Sequence, residues 1–175
     1  YAKPTIEELK KHGVKVAMLT GDNERAAKRV ANELGIDEYY AKLLPQDKLR
    51  IVDEKIANKK PNDVYAFVGD GINDAPVLMR ADVGVSMGGV GSDSAIEASD
   101  VVLMHDNISD IVTAKRIARK TMRIVTENIV FALGVKAAVL ILSAVGIANM
   151  WLAVFADVGV AVLAILNSMR ALRNK

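Results

Sequence analysis

Val64-Tyr65-Ala66-Phe67-Val68-Gly69-Asp70-Gly71-Ile72-Asn73-Asp74-Ala75-Pro76 is the stretch whose reading decides the fold. Its first five residues are apolar or β-favouring and short in run, as in a buried strand. Two glycines and two carboxylates then break the run, and a short helix follows. Working outward, the same alternation repeats. Val14–Leu19 is a short apolar run ending in Thr20-Gly21-Asp22-Asn23, and a helical pattern follows to Leu34, stopped by Gly35. Tyr39–Leu43 reads as a short strand, and Pro45 opens a helix that ends near Asn58. Downstream come strand Val83–Met87, helix Asp93–Ala98 and strand Val101–Met104, then a long helix from Ser109. Strands alternating with helices predict an α/β fold: a parallel sheet with helices on both faces. In such sheets ligands bind beyond the carboxyl ends of the strands, where Thr20–Asn23 and Gly69–Asp74 fall.

Three clusters carry chemistry. In Gly69–Asp74, glycines allow close backbone approach, and Asp70 and Asp74 offer the hard oxygens that Mg²⁺ prefers, with Asn73 between them. The plainer reading is a polar loop in which Asn73 or Asp74 caps the next helix. In Thr20-Gly21-Asp22-Asn23, a hydroxyl at a strand end precedes a helix N-terminus, which is an anion site or a simple cap. In Pro45-Gln46-Asp47-Lys48, the lysine reaches a phosphate as a point charge or remains a solvated surface residue.

Composition divides the chain in two. Of 23 basic and 21 acidic residues, only Lys136, Arg170, Arg173, Lys175 and Asp157 lie at or beyond Ile129. The earlier part is nearly neutral, which speaks against a nucleic-acid partner. The absence of Cys excludes a disulfide framework, a Cys-ligated zinc or iron–sulfur site and a thiol nucleophile. The later part is two apolar runs, Ile129–Ala148 and Met150–Leu166, parted only by Asn149. Each approaches the length that crosses a hydrocarbon core of about 30 Å, so they predict a transmembrane helical hairpin; a buried hairpin of a soluble protein is the alternative. Lys115, Arg116, Arg119, Lys120 and Arg123 before the hairpin, and Arg170, Arg173 and Lys175 after it, predict that both its ends and the soluble part are cytoplasmic. Trp151 suits the interface at the far turn. Inside the hairpin stand Lys136 and Asp157. A mid-membrane charge costs roughly 2.5–3.5 kcal/mol, so such residues are paired or functional. Counted from a turn at Asn149, their depths are about 20 and 12 Å at a rise of 1.5 Å per residue, within reach of an ion pair.

The combined strings resemble a known family. Thr20, Lys48 and Gly69-Asp70-Gly71-Ile72-Asn73-Asp74 are similar to the motifs of the haloacid-dehalogenase superfamily. Met18-Leu19-Thr20-Gly21-Asp22-Asn23, Pro45-Gln46-Asp47-Lys48, Ala81-Asp82-Val83-Gly84-Val85-Ser86-Met87-Gly88 and Ala98-Ser99-Asp100-Val101-Val102-Leu103 resemble the phosphorylation domain of P-type ATPases. Phe131-Ala132-Leu133-Gly134-Val135-Lys136 and Ala156-Asp157-Val158-Gly159 resemble the zinc-, cadmium- and lead-exporting branch. The resemblance implies an aspartyl-phosphate cycle fed by ATP. In it Asp70 and Asp74, with Asn73, serve Mg²⁺; Thr20, with Gly21 and Asp22 of its motif, and Lys48 stabilise phosphoryl charge. Asp157 binds Zn²⁺, Cd²⁺ or Pb²⁺, and Lys136 is a built-in counter-ion rather than a ligand. It implies partners too: the divalent ion, the lipid of a cell membrane crossed more than once, and the remainder of the pump, with no nucleic acid.

The departures define what is expected of this chain. Asp-Lys-Thr-Gly occurs nowhere in it, nor does a Cys-Pro-Cys site or a nucleotide-binding domain. The expectation is a C-terminal pump fragment: residues 1–108 a partial phosphorylation domain, 109–128 a connecting helix, and 129–170 the hairpin. Alone it lacks the aspartate that is phosphorylated. Two further readings stay open, a membrane-anchored phosphatase of the same superfamily and a non-catalytic, regulatory pump fragment.

Overall fold

The first helix, α1 (Ala2–Lys11), was not expected from the periodicity, yet Thr5, Ile6 and Leu9 at helical spacing are its buried side. The computed structural model describes residues 2–69, 72–89, 93–105, 107–147 and 149–172. Two compact units divide between Val112 and Thr113.

In the first unit the order is β1 (Ala17–Leu19), α2 (Glu24–Leu34), β2 (Glu38–Tyr40), α3 (Pro45–Ala57), β3 (Ala66–Gly69), α4 (Ala75–Arg80), β4 (Val83–Met87), α5 (Asp93–Glu97) and β5 (Val101–Leu103). The expected strands are all present: β4 has the expected bounds, β1 and β5 are shorter, and β2 and β3 are shifted to begin at Glu38 and to end at Gly69. All pairings are parallel, but the ladders form two sheets, β1-β2 and β3-β4-β5, where one sheet was expected. The strands are three to five residues long, and among the described residues no ladder joins β1 to β3. The helices make the connection: α3 packs on α4, and Arg80 pairs with Asp53 across them.

The core follows from this layering. Ala27 and Ala31 of α2, Ile51 and Val52 of α3, Val77 and Leu78 of α4, and Val85 of β4 are buried. Two aspartates staple strand starts. Asp82 accepts from the Tyr65 N–H and pairs with Lys59, whose ammonium holds its carboxyl below the ordinary range. Asp37 accepts from the Val16 N–H at 3.1 Å and pairs with Lys10 at 2.6 Å, with the same effect. Ser86, fully buried on β4, shares a hydrogen bond of 2.8 Å with Ser99.

The second unit holds most of α6 (Asp110–Ala144) and all of α7 (Met150–Ser168). Both are long and apolar enough to cross a membrane, and they are almost wholly unburied. α6 has 35 residues and α7 has 19, or about 52 and 28 Å of helix. The first helix stops short of its apolar run, which was expected to be helical to Ala148. Gly146 takes φ +78°, its N–H donates to Ser143 O at 3.0 Å, and the Ile147 N–H donates to Leu142 O at 3.0 Å. That pattern closes a helix with a left-handed residue, which glycine adopts without a Cβ clash. Asn149 caps α7, accepting from the Leu152 N–H at 2.9 Å.

Candidate functional site

Lys48 and Asp74 come from opposite halves of the first unit and meet. Pro45 opens α3, and Asp47 accepts from the Leu44 N–H at 3.0 Å, so the helix start is rigid and Lys48 leaves it from the first turn. Asp74 stands between a 3₁₀ turn (Ile72–Asp74) and α4. It occupies the cap position, but its side chain makes no cap hydrogen bond. The carboxylate turns instead to Lys48, whose Nζ donates to Oδ1 at 2.8 Å. The side chains are only 21% and 11% exposed. Gly69 permits this, because a Cβ there would stand 3.0 Å from Asp74 Cβ and 3.1 Å from Oδ2. A buried carboxylate is tolerated only when paired and hydrogen-bonded, and the lysine supplies both.

The second cluster closes on itself. Thr20 extends β1 by one step: its N–H donates to Tyr40 O at 3.0 Å, and its carbonyl accepts from the Leu43 N–H at 3.1 Å. Its Oγ1 donates to Asp22 Oδ2 at 2.9 Å and accepts from the Asp22 N–H at 3.1 Å. Gly21 and Asp22 are exposed in that turn. Asn23 is the cap of α2, accepting from the Ala26 N–H at 2.9 Å. So the capping role falls on Asn23, which leaves Thr20 and Asp22 as a mutual pair at a strand end. Among the described residues no hydrogen bond links this pair to Lys48–Asp74.

Asp70 lies outside the described residues, as do Arg173 and Lys175. Asn73 is exposed beside Asp74. Among the described residues no cluster of three or more His, Cys, Asp or Glu forms a metal cage. The donor set at the end of β3 is nevertheless all hard oxygen, Asp74 with Asp70 and Asn73 in the same loop. That set fits Mg²⁺, which takes one or two carboxylates and keeps its waters.

In the hairpin, the shorter α6 corrects the depths. Lys136 is eight residues before Ala144, and Asp157 is seven after Met150. At 1.5 Å per residue they lie about 12 and 10 Å from the helix ends, nearly level rather than 8 Å apart. Both are exposed, and among the described residues no ion pair joins them. The polar residues at the base of the hairpin, Glu127, Asn128, Asn167 and Ser168, escaped the sequence reading. Their signal was present: asparagines flanking both apolar runs.

Comparison with known proteins places the chain. Residues 1–82 match the haloacid dehalogenase-like hydrolases. Over 175 residues the chain is 57% identical to a cadmium, zinc and cobalt-transporting ATPase of Bacillus subtilis (strain 168), covering 99% of this chain and 25% of that protein. It is 54% identical to a zinc-transporting ATPase of Synechocystis sp. over 170 residues, 97% of this chain and 23% of that one. A crystal structure of a zinc-transporting PIB-type ATPase in an E2·Pi state superposes with a TM-score of 0.90 at 42% identity, covering 98% of this chain and 27% of that one. The chain therefore spans about a quarter of the length of the curated relatives it matches, and both its haloacid-dehalogenase-like unit and its apolar hairpin fall within the match. A parallel α/β unit with phosphoryl-type motifs, joined to two membrane-capable helices and matched over nearly all its length by metal-transporting pumps, belongs to the heavy-metal P-type ATPases.

Proposed function

We propose that this chain is the part of an ATP-driven exporter of divalent heavy metals that supplies phosphoryl-handling groups and two helices of the ion path. The observation that carries this reading is the Lys48–Asp74 pair, a cation and a carboxylate delivered to one point from α3 and from the end of β3. In the cycle, the γ-phosphoryl of ATP passes to an aspartate carboxylate supplied elsewhere in the pump. The Pγ–O bond to ADP breaks as the acyl-phosphate P–O bond forms. Water then attacks that phosphorus and frees phosphate, leaving the carboxylate.

Little covalent chemistry falls to the protein in such a transfer; positioned charge does the work. Lys48 presents its ammonium to the phosphoryl oxygens, exchanging the Asp74 carboxylate for them. Thr20 donates its hydroxyl, and Gly21 and Asp22 hold its turn. Asp70 and Asp74, with Asn73, would hold Mg²⁺, which would neutralise phosphate charge there. In the hairpin, Asp157 ligates Zn²⁺, Cd²⁺ or Pb²⁺, and Lys136 favours release by competing as a cation. Residues 1–108 act as the phosphorylation unit, 109–128 as the connector, and 129–170 as the membrane hairpin, with both hairpin ends in the cytoplasm of a cell whose surface membrane holds the pump.

The test is made in the full-length pump carrying this segment, reconstituted in lipid. Zinc- or cadmium-dependent formation of an acid-stable phosphoenzyme from ATP is expected. It should lose metal dependence in Asp157→Ala, and turnover should slow by about 10²–10³ in Lys48→Ala. A wild-type pump that forms no phosphoenzyme with any of these ions overturns the reading.

A further inference from the structure

Asn128 is tied by three hydrogen bonds to the other helix of the hairpin. Its Nδ2 donates to Ala164 O at 3.2 Å and to Ser168 Oγ at 3.0 Å. Its Oδ1 accepts from Asn167 Nδ2 at 2.8 Å. The surrounding groups are tied in as well. Ser168 Oγ donates to Ala164 O at 2.8 Å. Arg170 Nη1 donates to Asn167 Oδ1 at 2.8 Å and to Glu127 Oε2 at 3.1 Å. One amide on α6 thus grips the last turn of α7 through three hydrogen bonds.

That grip sets the register. Half-buried residues recur at Asn128, Ala132 and Val135 on α6, and at Val160, Ala164 and Asn167 on α7. Antiparallel pairing of Asn128 with Asn167 then puts Val135 opposite Val160, because both steps are seven residues. Lys136 lies eight residues from Asn128, and Asp157 ten from Asn167. At 1.5 Å per residue their levels differ by about 3 Å. At about 100° per residue each is rotated some 80° off the shared seam, and in opposite senses when viewed from one end. Both charged residues therefore open onto the same side of the hairpin, at nearly one level. A slip of one residue along α7 moves Asp157 by about 1.5 Å and swings it by about 100°, off that side.

Packing of apolar faces does little to prevent such a slip in a bilayer, since lipid tails are as apolar as leucine; interhelical hydrogen bonds and small-residue contacts are what fix helix pairs there. We infer that Asn128 is a positioning residue of the ion path, pinning the register that sets Lys136 and Asp157 on a common face. The functional half of this inference rests on the metal-export reading; the register half does not.

The experiment uses the full-length pump with cysteines introduced at Val135 and Val160, and a slipped pair at Val135 and Ala161, each with Asn128 intact or as Asn128→Leu. With Asn128 intact, oxidative cross-linking should favour 135–160 over 135–161. Asn128→Leu should level the two rates. In the full-length pump without the introduced cysteines, Asn128→Leu should raise the zinc concentration for half-maximal ATP hydrolysis about tenfold, with the rate at saturating zinc changed less than twofold. A cross-linking preference unaltered by Asn128→Leu overturns the register pin. An altered preference with unaltered zinc dependence overturns the link to the ion path. Loss of saturating rate in step with zinc affinity also overturns it, because that is the mark of a general folding defect. A wild-type pump with no metal-stimulated hydrolysis refutes the export reading and with it the ion-path link, while the cross-linking still decides the register.

Discussion

The chain holds two lysine–aspartate couples, one in each unit, and they are built in opposite ways. Lys48 and Asp74 are bonded at 2.8 Å and largely buried. Lys136 and Asp157 are nearly level within the hairpin and exposed, and among the described residues no ion pair joins them. The first couple is fixed from both sides: a helix start holds the lysine, and a tight glycine leaves room for the carboxylate. The second is held only by helix register. A couple of the first kind withstands the loss of little; a couple of the second kind is free to take a third charge between its members. On the proposed reading, the contrast is what a phosphoryl site and a transport site would require, since one must stay poised and the other must bind and release.

The largest effect that sharpens this contrast is functional. Asp157→Ala in the intact pump should reduce metal-dependent ATP hydrolysis to background while the first unit unfolds at an unchanged temperature, measured by near-ultraviolet circular dichroism on the same preparation. Retention of metal dependence removes Asp157 from the ion path.

Next is stability. Lys48→Ala strands a carboxylate with 11% side-chain exposure, and breaking a buried pair in this way costs about 3–5 kcal/mol. Lys136→Ala strands nothing and removes a charge from an apolar helix, so unfolding stability should hold or rise. Equal losses in urea titrations of the two variants would erase the distinction between the couples.

Gly69→Ala should act through contact alone. The new Cβ meets Asp74 Cβ at 3.0 Å, and overpacking of this kind costs about 1–3 kcal/mol. The Asp74 carboxylate should be pushed from Lys48, slowing phosphoryl turnover without altering the metal concentration for half-maximal rate. A shift in metal affinity instead would mean that the two couples communicate.

The smallest effect is a pH dependence confined to the first unit. The carboxyls of Asp37 and Asp82 are held below their ordinary range by Lys10 and Lys59, with backbone N–H donors beside them. Groups depressed in the folded state contribute stability above their unfolded pKa, about 3.9 for Asp, and lose it as pH falls through the folded pKa. The urea midpoint of the first unit should therefore decline in the acid range below about pH 4, and Asp82→Asn should flatten the decline. An unchanged acid limb in Asp82→Asn removes that staple from the stability of the sheet.

The sequence by itself determined the alternation of strands and helices, the stops at Gly35 and Asn58, the two apolar runs, and the polar clusters at strand ends. These are local properties: period, turn chemistry and composition act over a few residues, and short-range sterics suffice to read them. Only the tertiary structure decided who meets whom. That Asp74 turns from capping α4 to grip Lys48, 26 residues away, depends on α3 packing against α4. That the ladders split into two sheets depends on which strands lie side by side. That α6 closes at Gly146, bringing Lys136 and Asp157 level, depends on a left-handed turn and on asparagines bonded across 39 residues of chain. Partners distant in sequence leave no period to count, because their encounter is set by the packing of everything between them.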